Sequence, residues 1–418
     1  MKPVIDTDRE YGLVLEGGGA KGAYQIGVWK ALIEAGVRIK GIAGASVGGL
    51  NGAFIAMGDW EKAKSVWLNL TYSKIMDVDD EKMDLFLKGK APLGEAWNAT
   101  VNFIKNRGVD VTPLKHMIAG NVDCEKLRAF PGDLNVVSMN LDKREEEVID
   151  LKDKTDDEIR DFLLATAYMA PVFKTEKVQG THYVDGGTGD NVPIDVLLKK
   201  DYKDIIVVRI FGIGFVRNTK IPEDVNVLEI APKRPLGSIL AFNEENSRKN
   251  IVYGYFSGLR VLYGLSGALY YLDEEGMDAI YFLSKLAKMA ELFGESILTE
   301  LFPNLPVKKE KLVRDYVEHV YPGFAVTLGL SPDWSYKELY NSMLEATAKL
   351  LKINKWHIYT PDSLLFAIKK AMDDTEIRDF PPFARMIIAD ADLGGCENEI
   401  MTDSLTKEIK DEMEGDYT

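Results

Sequence analysis

The chain has 418 residues, with 46% hydrophobic and 28% charged residues, ordinary values for a globular protein of two domains. A formal net charge of −15 repels phosphate backbones, which excludes nucleic acid as an expected partner and disfavours stable adsorption to anionic membranes. Two cysteines, Cys124 and Cys396, rule out a disulfide framework. The N-terminus turns polar at once, without a secretory apolar core, and a cytoplasmic location is expected.

The first half alternates strand-like and helix-like segments, the pattern of a mostly parallel sheet covered by helices, hence an α/β class. Tyr11 to Leu15 reads as a short buried strand, followed by a glycine loop and a helix from about Lys21 to Glu34. Ile39–Ala43 reads as a second strand and Val47–Met57 as a second helix. Strands are expected at Leu134–Asn140 and Glu146–Leu151, a helix at Asp156–Tyr168, and later strands near His182–Val184, Ile205–Ile210 and Val225–Ile230. After Pro232 the pattern turns helical, with long apolar-periodic runs at Ala279–Phe293 and Glu338–Leu351. The expected division is a catalytic domain over 8–232 and a mostly helical region over 233–418, with a lid, docking or oligomerisation role left open. Ile251–Leu272 carries one charge, Arg260, and its spacing favours a buried amphipathic helix over a spanning one, with Gly264 and Gly267 as the stop. The acidic run Asp77 to Glu81 reads as a solvated helix start. The tail from Glu397 is acidic and expected to fray.

Three motifs carry chemistry. Gly44-Ala45-Ser46-Val47-Gly48 matches G-x-S-x-G, in which a sharp strand-to-helix turn exposes a serine at a helix N-terminus. Taken alone, the match also fits a small-residue turn. Gly17-Gly18-Gly19-Ala20-Lys21-Gly22 lies between the first strand and first helix, where consecutive amides converge into an anion nest. A Walker loop is unmet because Gly22-Ala23 follows where Lys-Ser/Thr is needed. A dinucleotide loop lacks the acidic residue about 20 positions on, which leaves an oxyanion hole as the better account. No histidine is well placed: His116, His319 and His357 have no motif around them, and in a strand His182 faces away from Asp185. Asp185, ending a strand and followed by Gly186-Gly187, is the candidate base, although a turn-forming aspartate fits equally well when it is viewed alone.

Together the motifs resemble the patatin-like phospholipase family. Its first block appears as Glu16-Gly17-Gly18-Gly19-Ala20-Lys21-Gly22 and its nucleophile block as Gly44 to Gly52. Its last block appears as Asp185-Gly186-Gly187 with Asn191 and Pro193, and a proline block as Ala165 to Phe173. The resemblance covers roughly the first half. It implies a three-layer α/β/α domain acting without cofactor or metal on lipid or acyl esters, with Ser46 as nucleophile and Asp185 as base. It also implies an oxyanion hole drawn from Gly17, Gly18, Gly19 and Val47. Gly22, Gly44, Gly48, Gly186, Gly187, Asn191 and Pro193 take supporting roles. Lys21 has two readings, a contact to the oxyanion or head group and an anchor for the loop. A transient membrane-surface contact is expected. Acyl transfer to an alcohol, a non-catalytic lipid-binding or scaffolding role and a nucleotide-binding module remain as rivals.

Overall fold

The computed structural model describes residues 1–87, 110–168, 177–306, 308–372 and 379–393. The proline block beyond Tyr168, together with Cys396 and the acidic tail, lies outside them. The chain divides into two compact units, Met1–Tyr263 and Gly264–Thr418.

The first unit is built on one sheet. Its strands are β1 (Glu10–Leu15), β2 (Arg38–Ala45), β3 (Asp133–Asn140), β4 (Glu145–Asp150), β5 (Lys177–Val178), β6 (Thr181–Asp185), β7 (Asp204–Val208) and β8 (Asn226–Ile230), in the order β5-β6-β3-β2-β1-β7-β8, with β4 also on β3. β3, β2, β1, β7 and β8 are parallel, and β4 and β6 run antiparallel to β3. Both faces are covered, so the central strands are continuously apolar: Leu13, Val14 and Leu15 are fully buried, each contributing roughly 1.5–3 kcal/mol. The architecture is the mostly parallel, helix-covered sheet that the alternation predicts and the α/β/α type that the resemblance implies.

The register of β3 brings distant segments together. β4 pairs with β3 from Asn135 to Asn140, overlapping the stretches that pair with β2 (133 to 137) and β6 (138 to 140). A strand has two edges, so β2 and β6 share the edge opposite β4 and meet there end to end. Ala45 stands opposite Val137, and Asp185 stands opposite Ser138. The last residue of β6 therefore abuts the residue that follows β2.

Helix α1 spans Ala23–Glu34, two residues later than the sequence predicts, because Gly19–Gly22 first makes a 3-10 turn. Helix α2 is Val47–Met57, as predicted, and α3 is Asp156–Thr166, started by a Thr155/Glu158 capping box. The short helix α4 (Ile194–Lys199) packs Val196 and Leu197 with Val14, Ala43 and Val207 of the sheet. The acidic run is a helix start: Asp80 opens Asp80–Leu87 and accepts hydrogen bonds from the Ser73 amide and hydroxyl at 2.8 and 2.7 Å.

Helix α5 (Glu244–Leu262) lies beyond Pro232, yet it belongs to the first unit and packs along α1. The reason is its glycines. Gly254 sits against the Tyr24 carbonyl and Gly27 of α1 against the Ile251 carbonyl, so a Cβ at either position overlaps backbone. The glycine- and tyrosine-rich composition thus serves close helix contact, with Tyr255 Oη donating to Glu34 at 2.7 Å. No helix among the described residues is long and apolar enough to cross a membrane.

The second unit is helical apart from a two-residue parallel pairing of Tyr271–Leu272 with Ile358–Tyr359. Helices Ala279–Phe293, Tyr336–Leu350, Pro361–Ala371 and Pro382–Leu393 enclose a core of Phe282, Leu286, Met343, Leu364 and Ile387. Glu345, buried within it, accepts the amides of Ala268, Leu269 and Tyr270 at 3.0, 3.0 and 2.7 Å.

Candidate active site

Ser46 sits in the one-residue gap between β2 and α2, with φ 52° and ψ −127°. This conformation costs a non-glycine residue about 1–3 kcal/mol and persists only where the surroundings over-determine it. Two features do so. A Cβ at Gly44 would overlap the Gly48 backbone, so the turn closes only with glycine there. The Ser46 amide donates to Thr166 Oγ1 at 3.0 Å, and the Thr166 hydroxyl donates onward to the Val137 carbonyl at 2.5 Å. Thr166 thus ties the turn to β3. Ser46 remains partly accessible, while Val47, Gly48 and Gly49 beside it are buried.

The Asp185 carboxylate accepts the Gly187 amide at 2.8 Å, and the Ser46 hydroxyl lies near enough to act on it as a donor. Burial pushes its pKa up to about 6, against the opposing pull of those two donors. Gly186 packs on the Val137 carbonyl and Gly187 on the Asn191 side chain, which folds the strand end tightly around the carboxylate. The side chain keeps some accessible surface, as Ser46 does.

The glycine loop closes on this pair. A Cβ at Gly17 would lie 3.0 Å from Ser46 Cβ. Gly18 and Gly19, and Val47 across the gap, donate their amides to no described group, as an oxyanion hole requires. Gly17 departs from the expectation: its amide donates to the Asn191 carbonyl at 3.2 Å and is already engaged. Asn191 also donates from Nδ2 to the Gly17 carbonyl at 3.1 Å, so it staples the Asp185 loop to the glycine loop, and Pro193 caps α4 just beyond. Lys21 Nζ donates to the Phe211 carbonyl at 2.5 Å, which favours its anchoring reading. Gly22 lies against Val47 and Trp67, and Gly48 against the Leu15 carbonyl.

Other residues complete the frame without having stood out in sequence. Glu16 is 1% exposed; its Oε2 accepts the amides of Ile210 and Phe211 at 2.6 and 2.9 Å and Arg209 Nε at 3.0 Å. Its signal was visible as a carboxylate ending an otherwise apolar strand. Asn51 bridges the Gly22 carbonyl (2.9 Å) and Gln25 (2.8 Å) and accepts from Trp67 at 2.9 Å, locking α2 to the glycine loop. The histidines are engaged elsewhere. His182 faces Asp142 at 3.5 Å, His116 is exposed on the helix Thr112–Asn121, His319 lies beside Phe302, and His357 is buried beside Tyr359.

A helix N-terminus, a strained serine, a buried carboxylate and an amide-rich loop thus converge on one point, and residues 13–198 match the model of the patatin-like phospholipases. Those residues belong to the patatin-like phospholipase family. Over 48 residues the chain is 58% identical to the lysophospholipase nte1 of Aspergillus terreus, a match covering 12% of this chain and 3% of that protein. Over 81 residues it is 40% identical to the neuropathy target esterase sws of Drosophila persimilis, covering 16% and 6%. The aligned stretches span only a small fraction of these relatives' length. Among solved structures, VipD from Legionella pneumophila aligns with a TM-score of 0.39 at 16% identity, over 93% of this chain and 92% of that one. The ExoU–SpcU complex of Pseudomonas aeruginosa aligns at 0.24 and 17%, over 95% and 70%.

Proposed function

We propose that the chain is a lipid ester hydrolase working through a Ser46–Asp185 dyad. The observation that carries the reading is the meeting of β2 and β6 end to end on β3, which sets Ser46 beside the Asp185 carboxylate, whose pKa is pushed up to about 6. A serine hydroxyl is a poor match for an ordinary carboxylate base, and raising the base toward neutrality narrows that gap while leaving it ionised at pH 7. Ser46 Oγ attacks the ester carbonyl carbon as its proton passes to Asp185. The oxyanion is received by the amides of Gly18, Gly19 and Val47, with the α2 dipole behind them. Collapse expels the alkoxide, which takes the proton from Asp185 and leaves an acyl-Ser46. Water then attacks the acyl carbon, Asp185 takes its proton, and that proton returns to Ser46 Oγ as the fatty acid departs.

The relatives' names, a lysophospholipase and an esterase, support single-chain lipid esters as the substrate class. Reaction with a fluorophosphonate followed by peptide mapping tests the mechanism. Labelling at Ser46 that is lost in Asp185→Asn is expected, and labelling elsewhere would refute it. Product analysis with and without added alcohol separates hydrolysis from acyl transfer.

A further inference from the structure

After β7 the chain runs through Phe211-Gly212-Ile213-Gly214-Phe215-Val216 without regular structure. Phe211, Ile213, Phe215 and Val216 are 51%, 80%, 60% and 43% exposed. Scattered exposed apolar residues are ordinary, but four large ones within six positions form a patch that calls for an occupant. The backbone beneath them is tightly held. Ile210 and Phe211 amides go to Glu16, and Lys21 Nζ to the Phe211 carbonyl. The Phe215 amide donates to the Gly187 carbonyl at 2.8 Å, and its carbonyl accepts from Asn191 at 2.7 Å. Those tethers end on the glycine loop or on the Asp185 loop. Gly212 and Gly214 press inward against Gly17, Gly18 and Asn191, so the larger side chains between them face out. Phe211 is held at φ 47°, a costly conformation for a bulky residue, by its bonds on both sides.

We propose that Phe211, Ile213, Phe215 and Val216 form an edge that inserts into zwitterionic lipid surfaces and sets Ser46 at the level of the ester bonds. The inference rests on the lipid ester hydrolase reading. Lipid fits better than a protein partner because the loop is tethered to both loops that flank Ser46, where a bound protein would stand in the substrate's way. Charge attraction to anionic lipid is not the driving force. The net charge is −15, and the loop's cations are neutralised locally: Arg209 pairs with Glu16 and Arg217 with Glu146 and Asp195. Apolar insertion works without it.

The test is flotation of the full chain with phosphatidylcholine vesicles at low and high salt, alongside fluorophosphonate labelling without lipid. The parent is expected to float at both salt concentrations. Ile213→Ser/Phe215→Ser is expected to lower vesicle partitioning by about tenfold or more. Ile213→Leu/Phe215→Leu keeps it, and Val326→Ser, at another 80% exposed residue, leaves it unchanged. Ile213→Ser alone, at the most exposed position, gives a smaller loss in the same direction should the double variant misfold. A parent that does not float, or serine variants that float like it, overturn the proposal. Failure of Ser46 labelling alongside loop-dependent flotation would instead overturn the esterase reading and leave lipid docking standing.

Discussion

Asp185→Asn separates the catalytic from the structural consequence of a buried base. Asparagine keeps an acceptor for Ser46 and for the Gly187 amide but cannot take a proton, so kcat/KM is expected to fall by about 10²–10⁴. Stability should move the other way. The native carboxyl titrates near 6 and the unfolded one near 3.8, so between about pH 4 and 6 the native state holds a proton that the unfolded state has lost. Wild-type stability therefore falls as pH rises through that window and levels off above it. Lifting a carboxyl from 3.8 to about 6 corresponds to on the order of 3 kcal/mol, an upper limit because Asp185 keeps some solvent contact. About 1 kcal/mol of this is developed at pH 4.5 and nearly all of it at pH 7.5. Urea unfolding of the two proteins at both pH values measures it: the Asn variant should be the more stable, by roughly 2 kcal/mol more at pH 7.5 than at 4.5. An advantage that does not change with pH, or a less stable variant, would refute burial as the origin of the raised pKa.

The same pKa predicts a kcat/KM profile for a soluble ester that rises with unit slope to a bend near pH 6; no bend between pH 5 and 7 would remove Asp185 as the free-enzyme base. Thr166→Val strips the Ser46 amide of its acceptor and the Val137 carbonyl of its donor, costing about 1–3 kcal/mol. A fall in kcat at nearly constant KM, restored by Thr166→Ser, is expected; a purely structural role would lower the melting temperature without touching kcat of the folded enzyme. Gly44→Ala should abolish soluble folded protein, whereas Gly120→Ala, with open space around it, should melt within a degree or two of wild type. Lys21→Met should lower turnover of neutral and phosphate-bearing esters alike, since its amine holds Phe211; a loss confined to phosphate-bearing substrates would restore the head-group reading.

Much of the frame was legible because local rules and fold agree. β1, β2, β3 and α2 follow from apolar runs and glycine stops, and Ser46 from the glycines around it. The partnership of Ser46 with Asp185 is different. It depends on the register of β3 against both neighbours, which no local pattern encodes; the glycines after Asp185 made it a candidate, and the resemblance to a family joined it to Ser46. Gly17 departs from expectation for a related reason: its amide is taken by the Asn191 carbonyl, far along the chain. Thr166 hid as the last residue of an amphipathic helix, and its partners lie on two other segments. The outward turn of the loop 211 to 216 has no local signal, because it follows from tethers to the glycine loop and the Asp185 loop. Helix α5 was placed beyond the boundary at Pro232 because glycine–backbone contacts leave no periodic signature.

The end-to-end meeting of β2 and β6 on β3 also bears on how the protein is made. The segment carrying Ser46 leaves the ribosome before β6 and can form its strand, turn and helix from nearby residues. Its base arrives only when β6 has been synthesised and has docked on an edge of β3 that β2 already half fills. Long-range pairing of this kind is slow to form. Until then the nascent hydroxyl lacks its neighbouring carboxylate, and the docking of β6 is the step that brings the two together.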